Sequence, residues 1–173
     1  MFKGCTSLTT APELPATTLG TYCYQNMFNG CTSLESVPYI LPATTLKTSC
    51  YSGMFQGCKK ITTAPILPST ELNTYCYQNM FANCTLLSTA PELPATTLVS
   101  SCYNYMFRNC SSLKYISAMF TTTPSSSYTN NWVAGVASSG TFVKANNANW
   151  SVSGVYGVPS GWTVKTNQLT IVN

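Results

Sequence analysis

MFKGCTSLTTAPELPATTLGTYCYQN (1–26) is followed by MFNGCTSLESVPYILPATTLKTSCYSG (27–53), MFQGCKKITTAPILPSTELNTYCYQN (54–79), MFANCTLLSTAPELPATTLVSSCYNY (80–105) and the shortened MFRNCSSLKYISAMF (106–120). The period is 26 residues, once 27. A unit this short cannot bury its own apolar face, so successive units must stack and share one continuous core. That requirement decides the architecture before any single residue is considered.

Within a unit, Cys23, Met27 and Cys31 stand at i, i+4 and i+8, and Tyr24 and Phe28 at i and i+4. This spacing predicts a short helix with all five side chains on one face. Thr21, Thr48, Thr74 and Ser100 precede the segment as N-caps would. Gly30, Gly57, Asn83 and Asn109 follow it, and both residue types tolerate the left-handed conformation that closes a helix. Next comes a Thr-rich stretch ending at Pro38, Pro65 or Pro91, then a second proline and an Ala-Thr-Thr-Leu run or its variant. Thr, Val and Leu bounded by proline suit short strands, and strands related by translation pair in parallel. Each coil then adds about 4.8 Å, for an array roughly 20 to 25 Å long.

The run from Leu8 through Leu34, L-x-x-x-x-x-L-P-x-x-x-L-x-x-x-C-Y-x-x-M-F-x-G-C-x-S-L, resembles the BspA-like leucine-rich repeats of bacterial surface proteins, with their Phe-x-x-Cys-x-x-Leu core and Leu-Pro step. The likeness covers about residues 1–120; a longer period and an extra Cys-Tyr pair depart from it. The expected fold is an α+β repeat solenoid: a leucine-rich-repeat-like, right-handed array of short parallel strands and short helices. It occupies residues 1–123 as about four and a half repeats, and a small C-terminal β module at 124–173 caps it. The resemblance implies a secreted or cell-surface protein used for adhesion or partner binding.

The array motif stops near Phe120, and a polar run at 121–127 suits a boundary. All three tryptophans, Trp132, Trp150 and Trp162, lie beyond it amid Val-rich runs and Gly, Asn and Pro-Ser-Gly turns, which read as short strands. A cap hiding the last coil is the simpler role for this segment, and an aromatic carbohydrate-contact module the sharper one. At the other end, Met1-Phe2 matches the internal Met-Phe pairs at 27–28, 54–55, 80–81 and 106–107. The chain is therefore expected to be a piece of a longer protein, unless an initiator coincides with the motif.

Composition narrows function by exclusion. Charged residues make up 7% of the chain, against about 25% in an ordinary domain. The net charge of +4 is scattered over lysines and Arg108, so no basic stripe addresses nucleic acid, and no apolar run is long enough for membrane insertion. Neither His nor Asp occurs, which removes the usual general base and every Ser-His-Asp arrangement. Glu13 and Glu92 share one repeat position three units apart, too distant for paired carboxylate chemistry.

The nine cysteines form two columns, Cys5, Cys31, Cys58, Cys84, Cys110 and Cys23, Cys50, Cys76, Cys102. Residues eight apart in a helix are roughly 12 Å apart, beyond disulfide reach, and no C-x-x-C serves a metal. Buried thiols acting as small apolar residues are expected, with bridging between adjacent coils left open.

No catalytic site, cofactor or metal is expected. What varies between units is the candidate site: Tyr22 and Tyr75 in a column shared with Ser49 and Ser101, and Glu35, Thr62, Lys114 and Tyr115 at strand positions. Surface drift accounts for such variation equally well. The reading is an extracellular, non-enzymatic module binding a host or cell-surface protein or glycan; the alternative is a structural spacer without a ligand, and an enzyme using Cys or Glu is the remote third.

Overall fold

A computed structural model describes residues 2–167. It is a solenoid whose coils stack with parallel register. Bridges Thr10↔Ser36, Thr89↔Tyr115, Thr18↔Thr45 and Thr45↔Glu71 are all parallel and step by one repeat. Continuous strands appear only late: β1 (Tyr115–Ala118), β2 (Thr141–Ala145) and β3 (Thr163–Asn167), in the order β1-β2-β3 and parallel throughout. Earlier coils make single bridges because each carries two prolines in its strand-to-turn step, and proline cannot donate to a ladder.

The expected helices are replaced by something else. No α-helix forms among the described residues. Residues 20–31 form a ribbon of overlapping turns, in which the amides of Gln25, Met27, Asn29 and Cys31 donate to the carbonyls of Tyr22, Tyr24, Asn26 and Phe28, at 3.1 to 3.2 Å. The alternate amides, those of Tyr22, Tyr24, Asn26, Phe28 and Gly30, donate to Thr48, Cys50, Ser52, Met54 and Gln56 of the next coil, at 2.8 to 3.0 Å.

Every fourth residue carries a positive φ: Tyr22 at 59°, Asn26 at 55° and Gly30 at 75°. A pair of turns thus advances four residues, which reproduces the i, i+4, i+8 spacing of a helix. A helix would spend its amides internally; the ribbon directs half of them along the stacking axis, where each coil needs partners. Gly and Asn at 30, 53, 57, 79, 83 and 109 accept the left-handed geometry at little cost. Thr21, Thr48, Thr74 and Ser100 are therefore not helix N-caps. The carbonyls of Thr48, Thr74 and Ser100 instead accept the first ribbon amide of the preceding coil.

The core is built from like residues stacked on like. Phe2, Phe28, Phe55, Phe81 and Phe107 stack with centroids 5.5 to 5.8 Å apart. Tyr24, Tyr51, Tyr77 and Tyr103 form a second column at 5.9 Å. Each such aromatic pair contributes about 0.5–1.5 kcal/mol beyond its buried area. Met54, Met80, Met106, Leu34, Ile61, Leu87 and Leu113 are fully buried beside them.

The segment after residue 123, expected as a separate cap module, keeps the same translational order. Tyr103, Tyr105, Phe107 and Asn109 donate amides to Tyr128, Asn130, Trp132 and Ala134, and β2 pairs with β1 one repeat on. Its last six residues, 168–173, lie outside the described residues, as does Met1. Both aromatic columns end on Trp132, whose ring tilts 50° to Phe107 and 30° to Tyr103. Gly140 allows the close approach of β1 and β2, since a Cβ there would meet the Lys114 carbonyl and the Trp162 ring.

Candidate functional site

Stacking gives the array three long walls: the turn ribbon, the strand positions after it, and the proline edge that closes each coil. The strand wall carries Thr9, Glu35, Thr62, Ser88 and Lys114 in one column and Thr10, Ser36, Thr63, Thr89 and Tyr115 in the next, all exposed. Glu35, Thr62, Lys114 and Tyr115 are therefore brought onto one surface. Glu35 also accepts from the Lys60 ammonium at 3.0 Å, with both side chains more than half exposed. Such a pair contributes little to stability. Thr62 lines a shallow cleft of about 210 Å³ with Thr63, Ser88 and Thr89. Tyr115 opens β1 and remains 39% exposed.

Tyr22 and Tyr75 do not join this group. They sit on the turn ribbon, two coils apart in one column, with positive φ of 59° each. Their rings are held outward by a left-handed backbone, a conformation that costs a residue with a Cβ roughly 1–2 kcal/mol. The walls outside the expected set include two conspicuous side chains, Tyr39 at 75% and Ile66 at 44% exposure. For Tyr39 the sequence signal is the one-residue insertion that makes the second unit 27 long; for Ile66 it is an apolar residue at the repeat position that holds Glu13 and Glu92 in other units.

The cysteine columns are structural. Cys31, Cys58, Cys84 and Cys110 donate their S–H groups to the carbonyls of Phe2, Phe28, Phe55 and Phe81 in the preceding coil, at 2.9 to 3.1 Å. All nine are free thiols, seven of them buried. Burial pushes the thiols of Cys58 and Cys110 up to about 12, and those of Cys50 and Cys102 up to about 11. At neutral pH these sulfurs are protonated, so they offer neither a nucleophile nor a soft metal ligand. Among the described residues no three His, Cys, Asp or Glu side chains converge as a metal site would.

The C-terminal tryptophans are links rather than display surfaces. Trp132, Trp150 and Trp162 donate their indole N–H groups to the carbonyls of Gly157, Phe120 and Ala137 at 3.0, 3.1 and 2.8 Å. All three are at most 7% exposed. Lys144 caps the Ala148 and Trp150 carbonyls and lies 5.2 Å from the Trp150 ring centroid.

A family model described as BspA type leucine rich repeat region matches residues 1–114 in six copies. Six copies in that span average fewer residues than one 26-residue coil, so the family unit and the structural coil have different boundaries. No curated protein and no solved structure matches the chain.

Proposed function

The chain belongs to the BspA-type leucine-rich repeat family, and from that premise we propose that it is a non-enzymatic binding or adhesion module of a bacterial surface protein, acting outside the cell on a host or cell-surface protein or glycan. The family is generally non-enzymatic and typical of bacterial surface proteins, and among the described residues no helix is long and apolar enough to cross a membrane. The observation that carries the reading is the strand wall. Its side chains change from coil to coil while the residues buried directly behind them, Leu34, Ile61, Leu87 and Leu113, scarcely change. A rigid frame with a variable face is how solenoids present an extended surface to a partner.

Immobilised protein should give a saturable response with at least one member of a panel of matrix proteins and glycans. Replacing Glu35, Thr62, Lys114 and Tyr115 together by Ala should abolish that response with no change in melting. A panel with no saturable binder would defeat the reading and leave a spacer.

A further inference from the structure

The proline edge is the wall that stacking explains least. It comprises residues 11–19, 37–46, 64–72 and 90–98, and it holds three of the four carboxylates, Glu13, Glu71 and Glu92, and none of the eight cations. In a chain with a net charge of +4, this edge therefore carries negative charge and no positive charge. The same edge exposes Tyr39 and Ile66.

Between the third and fourth coils this edge opens into a groove of about 410 Å³, walled by Pro65, Pro68, Pro91 and Pro94 and lined by Ile66 and Glu92. The opening follows from the backbone. The second and third coils are tied here by the Ile66 amide donating to Tyr39 at 2.9 Å and the Leu41 amide donating to Ile66 at 3.1 Å. The fourth coil is tied to β1 and Met119 by Leu93 amide to Ser117 and Met119 amide to Leu93, at 3.0 and 2.9 Å. Among the described residues no backbone hydrogen bond joins 64–68 to 90–94. Ile66 spends its amide and carbonyl on the second coil and Leu93 spends its own on the segment after it, so neither is left to bridge the third and fourth coils, and the flanking prolines supply no donor in their place.

We propose that this seam is a docking groove for an extended segment of a partner protein that is both cationic and apolar. A Leu or Phe side chain lodges between the proline walls against Ile66, and a neighbouring Lys or Arg side chain faces Glu92, the carboxylate that lines the groove. The prolines are already rigid, so the groove loses little conformational freedom on filling. No cation stands on this edge to repel the same segment, whereas all eight lie elsewhere in the chain. The proposal rests on the binding-module reading but places a partner on a different wall, so it is tested separately.

The isotope-labelled full chain is titrated with a short peptide alternating Lys and Leu, with its Glu-Leu counterpart, and with a Lys-Ser peptide. Amide shifts confined to residues 39–41, 64–68 and 90–94 are expected from the Lys-Leu probe alone. Ile66→Thr should weaken it about tenfold and Glu92→Gln roughly threefold; both side chains are exposed, so the variants should melt as the parent does. Shifts on the strand wall, no shifts, or equal binding of the Glu-Leu peptide would overturn the proposal. So would a dimer of the chain alone that Ile66→Thr dissolves, which would assign the groove to a second copy. A silent titration leaves the strand-wall screen untouched, and the reverse also holds.

Discussion

The coils of residues 2–120 and the segment from 124 to 167 bury the same kind of surface by different means. In the first region each rung stacks on a copy of itself: Phe on Phe, Tyr on Tyr, thiol to the Phe carbonyl one coil back. In the second the large side chains have no copy above them. Large rings meet edge-on, as Trp132 and Trp150 do with Phe142 at 78°, and indole N–H groups reach carbonyls 25 or 30 residues away. Self-stacking propagates but cannot stop, because each rung creates the surface the next must cover. Ending it takes side chains of a different shape whose polar edge is satisfied by the backbone of another coil.

Removing the junction between the two regions should have the largest effect. Trp132→Ala takes away the ring on which both aromatic columns end and the bond to Gly157. A loss of about 3–5 kcal/mol is expected in denaturant unfolding. If the segment from 124 onward merely leans on the array, the array's own transition will not move.

A middle-sized contrast comes from pH, since all nine cysteines precede residue 111. A thiol in the unfolded chain ionises near pH ~8.5, whereas burial holds those of Cys50 and Cys102 to about 11 and those of Cys58 and Cys110 to about 12. The unfolded state therefore releases protons first as pH rises. The stability the protonated thiols contribute is complete below about pH 8.5 and is lost as pH climbs through 11 to 12. Burial raises Tyr51, Tyr77 and Tyr103 in the same direction. Circular dichroism and Trp fluorescence followed together should show the array melting in alkali before the tryptophan-rich segment; coincident loss at lower pH would remove the thiols as the cause.

The smallest effect concerns the ribbon. Tyr75 is held at φ 59° with 39% of its surface exposed, so Tyr75→Gly should raise stability by about 0.5–1 kcal/mol, strain relief outweighing the added freedom of the unfolded chain. A clear loss would mean that the ring contributes packing the exposure conceals.

Much of this was legible in advance, and the failures have physical causes. The period exposed the stacking, and the two cysteine columns announced buried thiols, since a reactive cysteine does not recur at every turn. The ribbon differs from the helix that the spacing predicts because i, i+4, i+8 belongs equally to a helix and to successive pairs of turns. Gly53 and Asn79, mid-segment where a helix tolerates them poorly, were the available signal. Tyr39 is not singled out by the sequence because an inserted residue announces a bulge without saying which side chain it turns outward, and Ile66 because a single apolar residue at the position of Glu13 and Glu92 suits burial as well as exposure.

The sequence by itself determined that near-identical units must share a core, which residues enter it, and that catalytic side chains are scarce, because burial and composition are local properties of a repeat. Only the tertiary structure decided where the backbone amides go, where the proline edge parts, and how Trp132 ends the columns. Those outcomes depend on what the neighbouring coil offers across about 5 Å, and a single strand of letters carries no record of that neighbour.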